Sequence, residues 1–128
     1  MRARRGGTGH RLAVMHKTRY LSSMKATDDP VMKRFRAELE KAYGERLSRV
    51  VLFGLRARGD ARADSDYDVA VFLNPSGEFW TESASLADIG TEILLESGAV
   101  INAWPLDRAA MAEPSVIMDA VQREGVDF

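Results

Sequence analysis

Residues 50–73, VVLFGLRARGDARADSDYDVAVFL, constrain the fold more tightly than any other part of the chain. The apolar run Val50-Val51-Leu52-Phe53 stops at Gly54. A polar turn with Arg56, Arg58 and Gly59 follows, and Asp66 and Asp68 then lead into Val69-Ala70-Val71-Phe72-Leu73. Apolar residues at successive positions predict two short strands covered on both faces. Side chains alternate faces along a strand, so Asp66 and Asp68 share one face, about 6.6 Å apart at ~3.3 Å per residue, and Tyr67 points the other way. Two carboxylates that close repel each other unless a cation sits between them. Mg²⁺ suits such a pair, being a hard cation that prefers oxygen ligands and bound phosphates. If residues 55–58 form a helical turn, its free amides favour phosphate, and Gly54 lets the backbone approach closely. Arg56 or Arg58 can add charge-assisted bonds to phosphate oxygens.

The flanking segments predict how these strands are covered. Asp29-Pro30 is a helix start, with Asp29 as cap and Pro30 at the first helical position. Val31, Phe35, Leu39 and Ala42 or Tyr43 recur at helical spacing until Gly44. Asn74-Pro75-Ser76-Gly77 breaks the second strand, and Ser76 is placed to cap a long helix over Glu78–Ser97. Phe79, Leu86, Ile89, Ile93 and Leu94 form that helix's apolar side. Ala99–Trp104 reads as a third strand stopped by Pro105. Asp107 and Ser115 are each placed to start a short helix, and Val116, Ile117, Ala120 and Val121 give the last one its apolar face. The order helix, strand, strand, helix, strand, helix predicts an α/β (α+β) fold, a small mixed β-sheet with helices packed against it. Phe79, Trp80, Trp104 and the methionines are expected in core or edge packing rather than on a ligand.

Composition narrows the function. The chain has 128 residues and no cysteine, which excludes disulfides, zinc–thiolate centres and thiol catalysis. Residues 1–25 hold seven basic residues and no acid, leaving eleven basic against nineteen acidic side chains in the rest. We expect residues 1–25 to be a flexible basic arm and residues 26–128 a single domain. An Arg-rich, acid-free arm also fits a transit peptide, or sequence upstream of a natural start at Met24. The acidic body argues against a nucleic-acid backbone as partner. Both histidines, His10 and His16, lie in the arm, so the body has no histidine base or ligand. No apolar run reaches the ~18 residues of a membrane span, and no secretory signal is present. The cytoplasm is the expected compartment.

Competing motifs fail on their own terms. Asp64-x-Asp66-x-Asp68 imitates a calcium loop, but Val69 stands where the glycine is needed and Pro75 where the glutamate is needed. Arg58-Gly59-Asp60 looks like an adhesion tripeptide, yet nothing indicates secretion. The Gly-Lys-Ser/Thr ending of an ATPase phosphate loop is absent. A D-x-D pair at the mouth of a strand also occurs as a merely solvated pair.

Gly54, Ala57-Arg58-Gly59 and Ser65-Asp66-Tyr67-Asp68 match, in type, order and spacing, a longer signature. At these residues the chain resembles the polymerase-β-like nucleotidyltransferase superfamily in its minimal form. The resemblance implies a polymerase-β palm-like fold and Mg²⁺-dependent transfer of a nucleoside monophosphate, AMP from ATP above all, to a partner protein or small molecule. It implies Mg²⁺ on Asp66 and Asp68 as the catalytic pair. It also implies nucleoside triphosphate on the stretch from Gly54 through Leu55, Arg56 and Arg58 to Ser65. Minimal members pair as antitoxins with a HEPN-like toxin, others modify aminoglycosides, and a partner chain or self-association is expected to complete the cleft. Two departures stand out. Leu55 replaces a serine that bonds phosphate, a loss of about 1.5–3 kcal/mol. Asn102 is the nearest match to a third carboxylate on the next strand, and an amide cannot take a proton. The alternative is a catalytically weakened antitoxin that neutralises its toxin by binding.

Overall fold

The protein is described from a computed structural model, and the structure describes residues 28–128; the expected basic arm lies outside the described residues. Helix α1 (Pro30–Tyr43) begins where expected. The Asp29 carboxylate accepts from the amides of Val31 (2.8 Å) and Met32 (3.2 Å), and Pro30 occupies the first turn. Met32, Phe35, Leu39 and Tyr43, spaced three and four apart, form its buried face. A 3₁₀ turn (Gly44–Arg46) leads into β1 (Leu47–Phe53), and a single helical turn, α2 (Leu55–Arg58), follows Gly54. Then come β2 (Tyr67–Leu73), α3 (Phe79–Ser97), β3 (Ile101–Asp107), a 3₁₀ turn (Arg108–Ala112), α4 (Val116–Glu124) and β4 (Val126–Asp127).

The four strands form one mixed sheet in the order β3-β2-β1-β4. β1 runs antiparallel to β2 and β4, and β2 runs parallel to β3. The parallel β2–β3 pair requires a crossover, which α3 provides. On one face, Val50, Leu52, Tyr67, Val69, Val71 and Leu73 pack against α1 and against Leu86 and Ile93 of α3. On the other, Val51, Phe53, Ala70 and Phe72 pack against Met118 and Val121 of α4. Both faces of the central strands are covered, as their unbroken apolar runs require.

Local details differ from expectation. Glu78, not Ser76, caps α3: its carboxylate accepts from the Thr81 amide at 2.9 Å, and the Ser76 hydroxyl donates to the Gly77 carbonyl. β3 runs through Pro105 to Asp107, because it lies at the sheet edge, where one side of the strand carries no ladder bonds and proline is tolerated. Phe79 and Leu94 are exposed rather than inward on α3, as is Val116 on α4, and Trp80 is 73% exposed. The two-residue β4 is an addition to the expected order.

One buried polar pair ties α1 to β2. The Tyr67 hydroxyl donates to Asp29 at 2.9 Å, and both residues are nearly inaccessible. Burial first, and then the Asp29 charge, pushes the Tyr67 hydroxyl well above its ordinary pKa. Asp29→Ala removes a helix cap and leaves a buried hydroxyl without an acceptor. It should cost about 2–4 kcal/mol, against about 1 kcal/mol for Tyr67→Phe, read from urea denaturation midpoints.

Candidate active site

The first residues of β2 and β3 and the last of β1 end side by side. Phe53 is paired with Asp68 across β1–β2, and Asp68 with Asn102 across β2–β3. Asp66 immediately precedes β2. The Asn102 side-chain amide donates to Asp66 Oδ2 at 3.2 Å and to Asp68 Oδ1 at 3.3 Å. One small amide can reach both acids only if both lie on the same side of the strand, as their alternation demands. Asp66 is exposed, whereas Asp68 is half-buried. Burial raises the pKa of Asp68, the Asn102 hydrogen bond opposes the rise, and the charges of Asp66 and Glu124 add to it.

Gly54 is the hinge beside this pair. Its φ of +79° lies in the left-handed region, and a Cβ built there would meet Asp68 Oδ2 at 2.6 Å. Only glycine allows the chain to turn so close to the acid. The turn that follows is held from two directions. Arg56 donates to the carbonyls of Ser65 (3.0 Å), Arg62 (3.2 Å) and Ala63 (3.2 Å), and its guanidinium lies 3.9 Å over the Tyr67 ring. Ser65 Oγ accepts from the Arg62 amide at 2.9 Å, closing the same loop. Arg56 and Ser65 thus shape the loop that delivers Asp66. Arg58 is exposed and pairs with Glu124 at 3.0 Å and Asp60 at 3.4 Å. Leu55 is 44% exposed and stands outside the core.

Sequence reasoning missed Glu124. This last residue of α4 accepts from the Gly54 amide at 3.0 Å and from Arg58, and both bonds hold its carboxylate below the usual pKa. No local signal marks it, since its partners lie 66 and 70 positions earlier in the chain. The two other acids flanking β3 are occupied elsewhere. Glu96 is paired with Arg34, and Asp107 caps the following turn through the Ala109 amide. A groove of about 360 Å³ along the β3 edge is lined by Ser83, Leu86, Ala87 and Ile101–Trp104, Asn102 among them.

Among the described residues no group of three or more His, Cys, Asp or Glu side chains is placed to hold a metal. Two hard carboxylates on one side of a strand nonetheless fit Mg²⁺, which takes one or two carboxylates and fills its remaining positions with water and phosphate. They do not fit a metal that demands a closed cage of protein ligands. No helix among the described residues is long and apolar enough to cross a membrane.

With this geometry in place, comparison with known proteins gives a consistent result. Residues 32–121 match the nucleotidyltransferase domain family. The chain is 32% identical over 76 residues, 59% of its length and 70% of the relative's, to the Methanocaldococcus jannaschii protein named "Putative protein adenylyltransferase MJ0604". A crystal structure of a "putative nucleotidyltransferase" from Sulfolobus solfataricus superposes with a TM-score of 0.57 at 15% identity, covering 98% of this chain and 90% of that one. A toxin–antitoxin structure with AMP-PNP superposes with a TM-score of 0.51 at 17% identity, covering 73% and 68%. The fold is that of a nucleotidyltransferase-type domain. The chain belongs to the nucleotidyltransferase domain family.

The raised pKa of Asp68 fixes the sign of one test. A carboxyl whose pKa is higher in the fold than in the unfolded chain binds its proton more tightly when folded, so stability falls as pH rises through the folded pKa. At neutral pH the ionised acid therefore costs stability. In metal-free buffer Asp68→Asn should raise stability by a few tenths to about 1 kcal/mol at pH 7. The gain should shrink as the pH is lowered through the folded pKa, followed by thermal melting.

Proposed function

We propose that the protein transfers a nucleoside monophosphate, AMP from ATP, to a hydroxyl on a partner protein or a small molecule. The observation that carries this reading is the Asp66–Asp68 pair, gathered by Asn102 beside the Gly54 turn. Family membership and the adenylyltransferase name of the M. jannaschii relative support it. Asp66 and Asp68 would hold Mg²⁺. When bound, Mg²⁺ neutralises charge on the phosphates and on the pentavalent arrangement at the α-phosphorus. The turn that begins at Gly54, running through Leu55 and Arg56, would receive the β- and γ-phosphates, with Arg58 as the neighbouring cation. The tight contact between Gly54 and Asp68 sets phosphate and acid pair side by side. Arg56 and Ser65 would act on the nucleotide by fixing the loop that carries Asp66.

The balance of the step is simple. An acceptor oxygen forms a bond to the α-phosphorus, the bond to the bridging oxygen breaks, and pyrophosphate leaves with the electron pair. The acceptor proton must go to a base. Asn102 holds the acids by donating and cannot accept that proton at working pH. The proton passes to water or to a group on the acceptor, which makes transfer slow. The groove along the β3 edge, which Asn102 lines, would be the acceptor's place beside the pair.

A second reading is favoured by Asn102 and by the engaged Gly54 amide. Here the protein acts as an antitoxin that binds and neutralises a HEPN-like toxin, with weak transfer or none. The toxin–antitoxin likeness of the fold supports that partner class. Co-expression separates the readings. If the Asp66→Asn, Asp68→Asn protein still neutralises a toxic neighbouring gene product, contact suffices. If it binds but fails to neutralise, transfer is required.

Two outcomes are expected with labelled ATP, Mg²⁺ and a partner protein. Asp66→Asn, Asp68→Asn should abolish label transfer, and unchanged transfer would remove both acids from the mechanism. Asn102→Asp should raise the rate by ~10²–10⁴, the usual contribution of general-base help, measured as single-turnover rates under saturating ATP.

A further inference from the structure

The Glu124 carboxylate makes two bonds at the edge of the site, one oxygen accepting from the Gly54 amide and the other from the Arg58 guanidinium, each at 3.0 Å. Both donors belong to the short stretch between β1 and the loop, whereas the acid is carried in on the last residue of α4. Helix geometry does not ask for it there. An acid at a helix C-terminus faces the negative end of the dipole, and the preceding Arg123 pairs with Asp119 instead. The Glu124 side chain is only 11% exposed. Its charge also bears on Asp68, so a third anion stands against the acid pair.

We propose that Glu124 is an internal stand-in for the phosphate tail of the nucleotide, occupying the Gly54 amide and the Arg58 guanidinium until a triphosphate displaces it. The inference rests on the nucleotidyltransferase reading of this site. The single Gly54 amide hydrogen cannot serve two anions at 3 Å, so carboxylate and phosphate exclude each other there, while Arg58, which also reaches Asp60 through Nε, favours whichever anion holds the amide. A carboxylate spans two donors with two oxygens, much as two phosphate oxygens would. Release needs only the side chain to move. A Cβ at Gly125 would meet the Val121 carbonyl at 2.3 Å and Val51 Cγ1 at 2.6 Å, so the backbone after Glu124 is pressed against α4 and β1 and stays in place. The freed side chain can turn to solvent from the helix end. The same contact also docks α4 on the site, so empty-site stability and nucleotide affinity oppose each other at this one residue.

The test is calorimetric titration of wild type, Glu124→Gln, Glu124→Ala and Glu124→Ala, Arg58→Ala with Mg·ATP and, separately, with inorganic tripolyphosphate. Loss of the competitor should tighten binding of both probes about tenfold in Glu124→Ala, less in Glu124→Gln, which keeps the shape. The gain should vanish when Arg58 is also removed. Thermal melting of Glu124→Ala without ligand should fall, opposite in direction to its affinity; a purely structural residue would lower both. Equal or weaker binding by Glu124→Ala overturns the inference while leaving the nucleotidyltransferase reading intact. Tripolyphosphate binding that tightens while Mg·ATP binds none of the four proteins overturns both, because the anion that displaces Glu124 is then not a nucleotide's. Failure of both probes on every variant overturns both.

Discussion

Phe53 and Asp68 sit opposite each other at the end of an antiparallel pair in which residues 50–52 and 69–73 are buried. That register places Gly54 against the Asp68 carboxylate, with no room for a side chain. The rest of the site follows from this one approach. The turn after Gly54 leaves the sheet beside the acids, Arg58 reaches the same edge, and α4 can lay Glu124 across it. The arrangement is costly, because a half-buried acid is set near two other carboxylates. The sheet bears the cost by burying its central strands on both faces, at about 1.5–3 kcal/mol for each large apolar side chain. A site of gathered like charges needs a frame of this rigidity, and the frame occupies more of the chain than the site does.

Alternation along β2 divides the labour. Tyr67, Val69, Val71 and Leu73 face α1 and α3, while Asp66 and Asp68 point toward the α4 side. Tyr67 is the link between the two tasks. Its ring lies under Arg56, which holds the loop before β2, and its hydroxyl is fixed by the cap of α1. The position of Asp66, which lies outside the ladder, is thereby set from below by a helix on the opposite face. Arginines expected at phosphate divide in the same way. Arg56 is spent on loop carbonyls and an aromatic face, and Arg58 stays at the exposed edge.

The strands, the first helix and the shared face of the two acids were legible because each is set by local spacing: apolar runs, a cap with proline, a period of two. Asn102 was also legible, since the strand after α3 has few polar residues to choose from. Proline misled at residue 105 because the rule that it breaks strands counts a lost ladder bond, and an edge strand has one side where none is needed. Ser76 was the better cap by residue type, yet Glu78 lies adjacent to the helix and its longer side chain reaches Thr81. Glu124 left no trace in the sequence. Its role depends on how α4 returns across the sheet, and no periodicity encodes a contact between residues 54 and 124.

Asn102 is best understood as a partner of the two acids. A third acid at that position would add a further charge to a pair that already repels, in a body with far more acidic than basic residues. An amide there donates to both acids and holds them in place without a cation. Glu124 does the corresponding work on the other side, satisfying the donors that an anion would otherwise take. The site is therefore internally paired, its acids by an amide and its donors by an acid. The contacts that stabilise this arrangement come from an amide, which is no proton acceptor, and from a carboxylate already engaged by the Gly54 amide and Arg58.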